Sequence, residues 1–494
     1  MQEKYDYIII GGGVVGCMIA RWLSRYEGKI LLIDKQADIG MGASSANTAI
    51  VHAGYDPKPG TLKARMNVKG NAMWDQLAGE LNFPFERRGD YVVAIGDDEL
   101  PLVEKLMQQG KQNGVPGMIM LSGAEVRRRE KNINPETSGA LWASTGGICD
   151  PFQVTVAAAE NAVMNGVTIM LETAFEDFIM EGTRIVGVKT NHGDFLSRWV
   201  INSAGVYSDQ VMHKAGVRPE FKITPRKGEY FVFDRAEITI DNVLFPVPSA
   251  KGKGILVTTT LHENTIIGPN ANDINDKEDT STTKDGLDEV AQGALKLIPS
   301  LNLRYSIANF AGIRPTGNGP CKTPGVVYNN DFVIEIPENV QGFVNLGGIE
   351  SPGLTSAPAI AEEVVDMLRD AGEKLEVKKD WDPIRPGRPR FRNMSHKERQ
   401  LLVDMDPRYG QIICRCENIT EGEIMAEIHS PVPALTYDAI KRRTWLGTGR
   451  CQGGFDMPRV VNILARELGV SPLEVTKRGK GSEFLFRETK QVED

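Results

Sequence analysis

Tyr7 to Ile10 is an unbroken apolar run, and Gly11-x-Gly13-x-x-Gly16 follows it at once. A run of this kind suits a buried parallel strand. Val15, Ile19 and Leu23 then recur at helical spacing, and a second apolar run, Ile30 to Ile33, ends in Asp34. The pattern predicts strand, helix, strand, with each special residue where a dinucleotide site needs it. Gly11 permits the tight turn, Gly13 lets backbone approach a pyrophosphate, and Gly16 lets helix pack on strand. The helix N-terminus faces the phosphates, and Asp34 accepts hydrogen bonds from a ribose hydroxyl. The spacing does not separate FAD from NAD. A later glycine cluster, "GTGRCQGG", lacks both the spacing and a preceding strand, so one dinucleotide is expected.

Further along, "RWVINSAGVYSD" reads as a strand ending at Ala204-Gly205, with a helix cap at Ser208 or Asp209. "QGFVNLGGIESPGLTSAPAIAEEVVDML" reads as a strand, Gly347-Gly348, a turn, and a helix aligning Ile360, Val364 and Leu368. Residues 60–140 look largely helical, with charged faces, and 226–335 hold short β-branched strands. These segments predict an α/β, Rossmann-like nucleotide-binding domain with an interleaved, mixed β-rich substrate domain. The expected nucleotide segments are about 1–75, 145–220 and 325–370, and the substrate segments about 76–144 and 221–324. A basic, proline-containing stretch within 371–404 reads as a linker crossing the surface. A small α-helical cysteine domain is expected over 405–485.

Composition narrows the class. The 494 residues suggest roughly two to four domains, and 25% charged residues are ordinary for a soluble globular protein. A net charge of −8 argues against a nucleic-acid partner. No secretory signal and no membrane span are read from the chain. Six cysteines are too few for a disulfide scaffold, and half lie near the C-terminus, which fits a reducing cytoplasm and one metal-like constellation. Peripheral attachment to the inner face of a membrane through a partner stays compatible with this.

That constellation is Cys414-x-Cys416 followed by Cys451, with Asp456 five residues further on. Thr420 and Glu423 form a capping box ahead of one helix. Pro458 suits the first turn of another, whose apolar face carries Val460, Val461, Leu464 and Leu468 before Gly469. Helix termini beside the cysteine loops can stabilise an anionic cluster.

The motifs "IIIGGGVVG", "GASSANTAIVHAGYDPKPGTLKARM", "INSAGVYSD", "FAGIRPTGNG" and "NLGGIESPGLTSAPAIAE" resemble the FAD-dependent amino-acid-oxidase-like superfamily over roughly 1–370. Within it they are most similar to FAD-dependent glycerol-3-phosphate dehydrogenases and L-2-hydroxyglutarate dehydrogenases. The C-terminal part resembles the bacterioferritin-associated-ferredoxin-like [2Fe–2S] domain, which the anaerobic glycerol-3-phosphate dehydrogenase carries on its large subunit. The resemblance implies FAD held at Gly11, Gly13, Gly16, Asp34, Lys35, Ser44, Ser45, Ala204, Gly205, Gly347, Gly348, Leu354 and Thr355. It implies oxidation of an anionic secondary alcohol by hydride transfer to flavin, with electrons leaving to a partner subunit or quinone-linked protein. Its cluster ligands are C-x-C and, later, C-x4-C. Cys414, Cys416 and Cys451 match, and Asp456 stands at the fourth position. Asp456 is then either an iron ligand or only the cap of the next helix, leaving an empty domain; zinc is a third reading.

Such chemistry needs a proton acceptor and a cation. His52 is the expected acceptor, because imidazole titrates near neutrality, and Tyr55 is expected to line the same surface. Arg314, between Gly312 and Pro315 in an expected rigid turn, is the expected substrate fork. Lys227 and Tyr230, beside Arg226, and His262 are further pocket candidates. Glycerol 3-phosphate is the favoured substrate, against L-2-hydroxyglutarate and against a non-catalytic subunit of a larger dehydrogenase.

Overall fold

The computed structural model describes residues 4–248 and 252–488. The expected β-α-β unit forms, as strand Lys4–Ile10, helix Val14–Leu23 and strand Ile30–Ile33. Its strands lie at the centre of an eight-stranded sheet. Parallel neighbours Thr168–Met170, Gly193–Asn202 and Phe343–Gly347 extend it, with Tyr7 opposite both Ile30 and Trp199. All four side chains of Ile30–Ile33 are buried, because helices cover one face and the hairpin Phe175–Thr190 covers the other. Helices Val14–Leu23, Leu62–Leu81, Pro151–Met164 and Gly353–Asp370 form the helical layer. Every parallel strand therefore ends on the same side, where the loops open into a cavity.

A nine-stranded, mixed sheet stands beyond that cavity. Its longest pair is Ile223–Phe233 against Ser306–Gly317, in a register that sets Arg226 opposite Arg314. Arg314 is thus a mid-strand residue, not part of a turn. Pro315 is tolerated there opposite Pro225, so neither strand is asked for an N–H at that position. Residues 60–140 also differ from the helical expectation. Helices Leu62–Leu81, Leu100–Gln112 and Gly123–Arg129 alternate with strands Phe85–Arg87, Asp90–Ile95, Met118–Ser122 and Thr137–Ala143. Asp90–Ile95 is buried from Asp90 to Ala94, so packing between neighbouring strands outweighs the helix propensity of the flanking charged residues.

The basic segment after residue 370 crosses the helical layer, and its arginines are structural. Arg385, almost fully buried, and Arg388 both reach Glu160 at 2.5 Å, while Arg388 also reaches Glu427 at 2.9 Å. The C-terminal unit holds helices Glu421–Ile428, Tyr437–Thr444 and Met457–Leu468 and a short hairpin through Cys414. Its core includes Ile424, Ile440, Val460 and Leu464. The capping box at Thr420 and Glu423 forms, and Gly469 closes the last helix in the left-handed conformation at φ 66°.

Candidate active site

A cavity of about 1030 Å³ runs from the first glycine turn to the strands bearing Arg226 and Arg314. That is near the top of the roughly 300–1,000 Å³ usual for small-molecule sites. At one end the backbone leaves no room for side chains. A Cβ on Gly16 would sit 2.0 Å from the Gly11 carbonyl oxygen, and Gly11 itself holds φ +107° against Ser203. Gly13 faces the cavity, and the Val14 N–H donates to Ser44 Oγ at 2.9 Å, which pins the loop above the helix N-terminus. Asp34 accepts from the Gly12 and Gln36 N–H groups at 2.6 and 2.8 Å, while burial raises its pKa. Each oxygen accepts one of these bonds and keeps a further lone pair, and Asp34 lines the cavity.

The other nucleotide-site candidates divide. Lys35, Ala204, Gly205, Gly347 and Leu354 line the cavity. Lys35 lies over the Tyr207 ring and pairs with Glu278 at 3.1 Å at the rim. Gly16, Ser45, Gly348 and Thr355 sit behind the wall. Ser45 Oγ donates back to Met41 and Gly42 carbonyls, and Thr355 Oγ1 accepts from the His52 N–H at 2.9 Å. The expected cap at Ser208 or Asp209 is absent. Asp209 accepts from the Ile223 N–H and pairs with Lys277, which ties the helix to the second sheet instead.

At the far end, His52 is fixed through its backbone, whose carbonyl accepts from Asn67 and Asn71 at 2.8 and 2.9 Å. Its Nε2 lies 3.4 Å from Ser351 Oγ, to which Lys253 Nζ donates at 3.4 Å. Burial, aided by the Lys253 charge, lowers the imidazole pKa well below its ordinary value, so the ring is neutral at pH 7. A neutral imidazole has one free lone pair and can take a proton.

The cations facing this end differ in their partners. Arg226 forks onto Asp273 at 2.6 and 3.1 Å, and Lys63 pairs with Glu350 at 2.7 Å. Burial pushes the Glu350 carboxyl up, but Lys63, Thr316 and Asn330 together hold it down at about 2. Arg314 donates only to carbonyls, Asn270 at 2.7 Å and Lys227 at 3.4 Å, and has no carboxylate partner among the described residues. Tyr230 lines the cavity and stacks on Phe310 with ring centres 4.5 Å apart. Lys227 alternates to the opposite side of its strand and pairs with Asp279 at 2.9 Å. Tyr55 is buried behind His52, beside Asp56 and Lys253. Lys253, between two positive-φ glycines, and Ser351, after the second glycine strand, escaped sequence reasoning. Only the paired glycines around Lys253 hinted at a shaped turn.

His262 belongs elsewhere. Its ring stacks on Trp445 at 3.7 Å, and both reach Asp150, His262 at 3.3 Å and Trp445 Nε1 at 2.7 Å. This is the junction with the C-terminal unit, reinforced where Arg442 and the buried Arg443 enclose Asp38 at 2.7 Å. Beyond it, Cys416 and Cys451 lie with sulfurs 3.4 Å apart, and the Cys414 thiol faces Asp456 and the Gly447 N–H. Asp456 occupies the position before helix Met457–Leu468 but makes no side-chain cap bond, so the capping reading fails. The Tyr437 hydroxyl donates to its Oδ1 at 2.8 Å instead.

Residues 6–367 match the family described as FAD dependent oxidoreductase, and residues 412–466 match the BFD-like [2Fe-2S] binding domain. The chain is similar to a glycerol 3-phosphate dehydrogenase of Caloramator mitchellensis, 46% identical over 98% of this chain and 99% of that one. It is also similar to a mitochondrial L-2-hydroxyglutarate dehydrogenase of Arabidopsis thaliana, 29% identical over 74% of this chain and 84% of the other. Among solved structures, it resembles the dithionite-reduced L-alpha-glycerophosphate oxidase of Mycoplasma pneumoniae with FAD bound. That match has 33% identity and a TM-score of 0.72, covering 78% of this chain and 99% of that one. The glycine cradle, the open helix N-terminus and Asp34 fit FAD, whose pyrophosphate Gly13 and Val14 would hold. No helix among the described residues is long and apolar enough to cross a membrane. The chain therefore belongs to the FAD-dependent oxidoreductase family.

Proposed function

We propose that the protein oxidises sn-glycerol 3-phosphate to dihydroxyacetone phosphate and passes the electrons to a partner protein. The observation carrying this reading is a neutral, half-buried His52 in the same cavity as Arg314, which has no carboxylate partner among the described residues. Arg314 supplies a fork for the phosphate oxygens, and Lys253, paired with Asp56 at 3.3 Å, donates to Ser351 Oγ. His52 takes the hydroxyl proton of the substrate as the adjacent C–H is broken, by way of Ser351 Oγ, which lies 3.4 Å from its Nε2. FAD, when bound, supplies the hydride acceptor. Lys63 with Glu350, Arg226 with Asp273 and Lys253 with Asp56 are paired, which leaves the Arg314 guanidinium available to the substrate.

Similarity over nearly the whole chain to a protein named glycerol 3-phosphate dehydrogenase supports phosphate over a second carboxylate. Steady-state turnover with glycerol 3-phosphate and L-2-hydroxyglutarate, using an artificial acceptor, tests the assignment. Turnover of the hydroxyglutarate alone would overturn it.

A further inference from the structure

We propose that Asp456 is a cluster ligand: with Cys414 it holds one iron of a [2Fe–2S] centre, and Cys416 with Cys451 holds the other. The first ground is the state of the carboxylate. Asp456 is 1% exposed, its Oδ1 is taken by Tyr437, and its Oδ2 has no hydrogen-bond partner. A buried carboxylate oxygen left unpaired is costly, and here it serves neither the helix nor a salt bridge. It faces the Cys414 thiol.

The second ground is how the four side chains divide. Cys416 and Cys451 form one pair, 3.4 Å apart, and Cys414 and Asp456 form the other. A single tetrahedral ion such as zinc needs its ligands to converge on one point. A two-iron cluster instead needs two ligands at each end, and the four side chains fall into two such pairs. Carboxylate for thiolate also preserves the total ligand charge, while making one iron site harder than the other.

The surrounding loop is built to hold both pairs. A Cβ on Gly447 or Gly453 would come within 2.5 Å of the Tyr437 hydroxyl oxygen, and one on Gly449 within 2.6 Å of Cys416 Cβ. Tyr437 is thus a positioning residue, orienting Asp456 from behind as outer hydrogen bonds do for metal ligands. The inference rests on the cysteine domain alone and not on the substrate proposed above.

The test is made on the full-length protein, produced with enriched iron and purified anaerobically. The expected wild-type result is about two irons and two sulfides per chain, with two inequivalent Mössbauer doublets. Asp456→Cys should keep the iron and bring the doublets together, and Asp456→Ala should lose most of it. Tyr437→Phe should release iron to a chelator at least about tenfold faster. Iron-free wild-type protein with a Cys416–Cys451 disulfide would overturn the inference. So would iron content and doublets that Asp456→Cys and Asp456→Ala leave unchanged. Flavin reduction by glycerol 3-phosphate is a separate readout, so failure of either proposal is told apart from failure of the other.

Discussion

His52 Nε2 and Ser351 Oγ lie 3.4 Å apart, joining residues 299 positions apart in sequence at one end of the flavin cavity. The contact aims the imidazole by its side chain, while Thr355, Asn67 and Asn71 fix its backbone. If His52 accepts the substrate proton, His52→Asn should lower the flavin-reduction rate by about 10²–10⁴-fold, with FAD content unchanged. Rapid-mixing absorbance under anaerobic conditions measures this.

The same ring sets a pH dependence. Burial and the Lys253 charge both favour the uncharged imidazole, so its folded-state pKa lies below the ordinary value. Activity carried by neutral His52 is therefore already full at pH 7 and declines only in acid. Lys253→Met removes one of the lowering influences, and the acid limb of the kcat/KM profile should move to higher pH. A limb that moves to lower pH would contradict the assignment.

Arg314→Ala removes a cation that has no carboxylate partner among the described residues, so no buried anion is stranded by the change. Its cost should fall on substrate recognition: kcat/KM drops about 30-fold or more, corresponding to about 2 kcal/mol. Arg314→Lys should recover only part of this, because an ammonium cannot reproduce the fork.

Gly16→Ala places a methyl group 2.0 Å from the Gly11 carbonyl oxygen, which forces helix and strand apart. The expected result is protein that purifies with little FAD, read from its flavin absorbance.

The junction offers a stability test. Arg443 is fully buried and its charge is met by Asp38, whose carboxyl burial pushes up but Arg443 and Arg442 hold below the usual range. Asp38→Ala strands a buried guanidinium and should cost about 3–5 kcal/mol in denaturant unfolding. Because the folded-state pKa is depressed, this stabilisation is present above about pH 4 and is lost as pH falls through the folded value.

Much of this was legible in the chain. Part of the glycine turn is dictated locally, since Gly16 answers to the Gly11 carbonyl five residues away, while Gly11 is closed by Ser203 of a distant strand end, and apolar runs marked the parallel strands. Arg314 stood out by type, but its flanking glycine and proline suggested a turn where strand pairing over eighty residues away decided otherwise. Lys227 and His262 shared the residue types of a pocket and lie outside it. Strand alternation turned Lys227 to Asp279, and docking of the C-terminal unit drew His262 onto Trp445. Ser351 and Lys253 were invisible because their meaning lies in contacts across the cavity. Asp456 reads as a cap in sequence, and only its missing cap bond and unpaired oxygen separate it from one.

The most direct measurement is anaerobic reduction of the bound flavin by glycerol 3-phosphate, followed at the flavin absorbance, beside L-2-hydroxyglutarate. Rapid bleaching is expected with glycerol 3-phosphate, and that phase should be lost in His52→Asn. Bleaching by L-2-hydroxyglutarate alone, or by glycerol 3-phosphate equally fast in His52→Asn, would contradict this expectation.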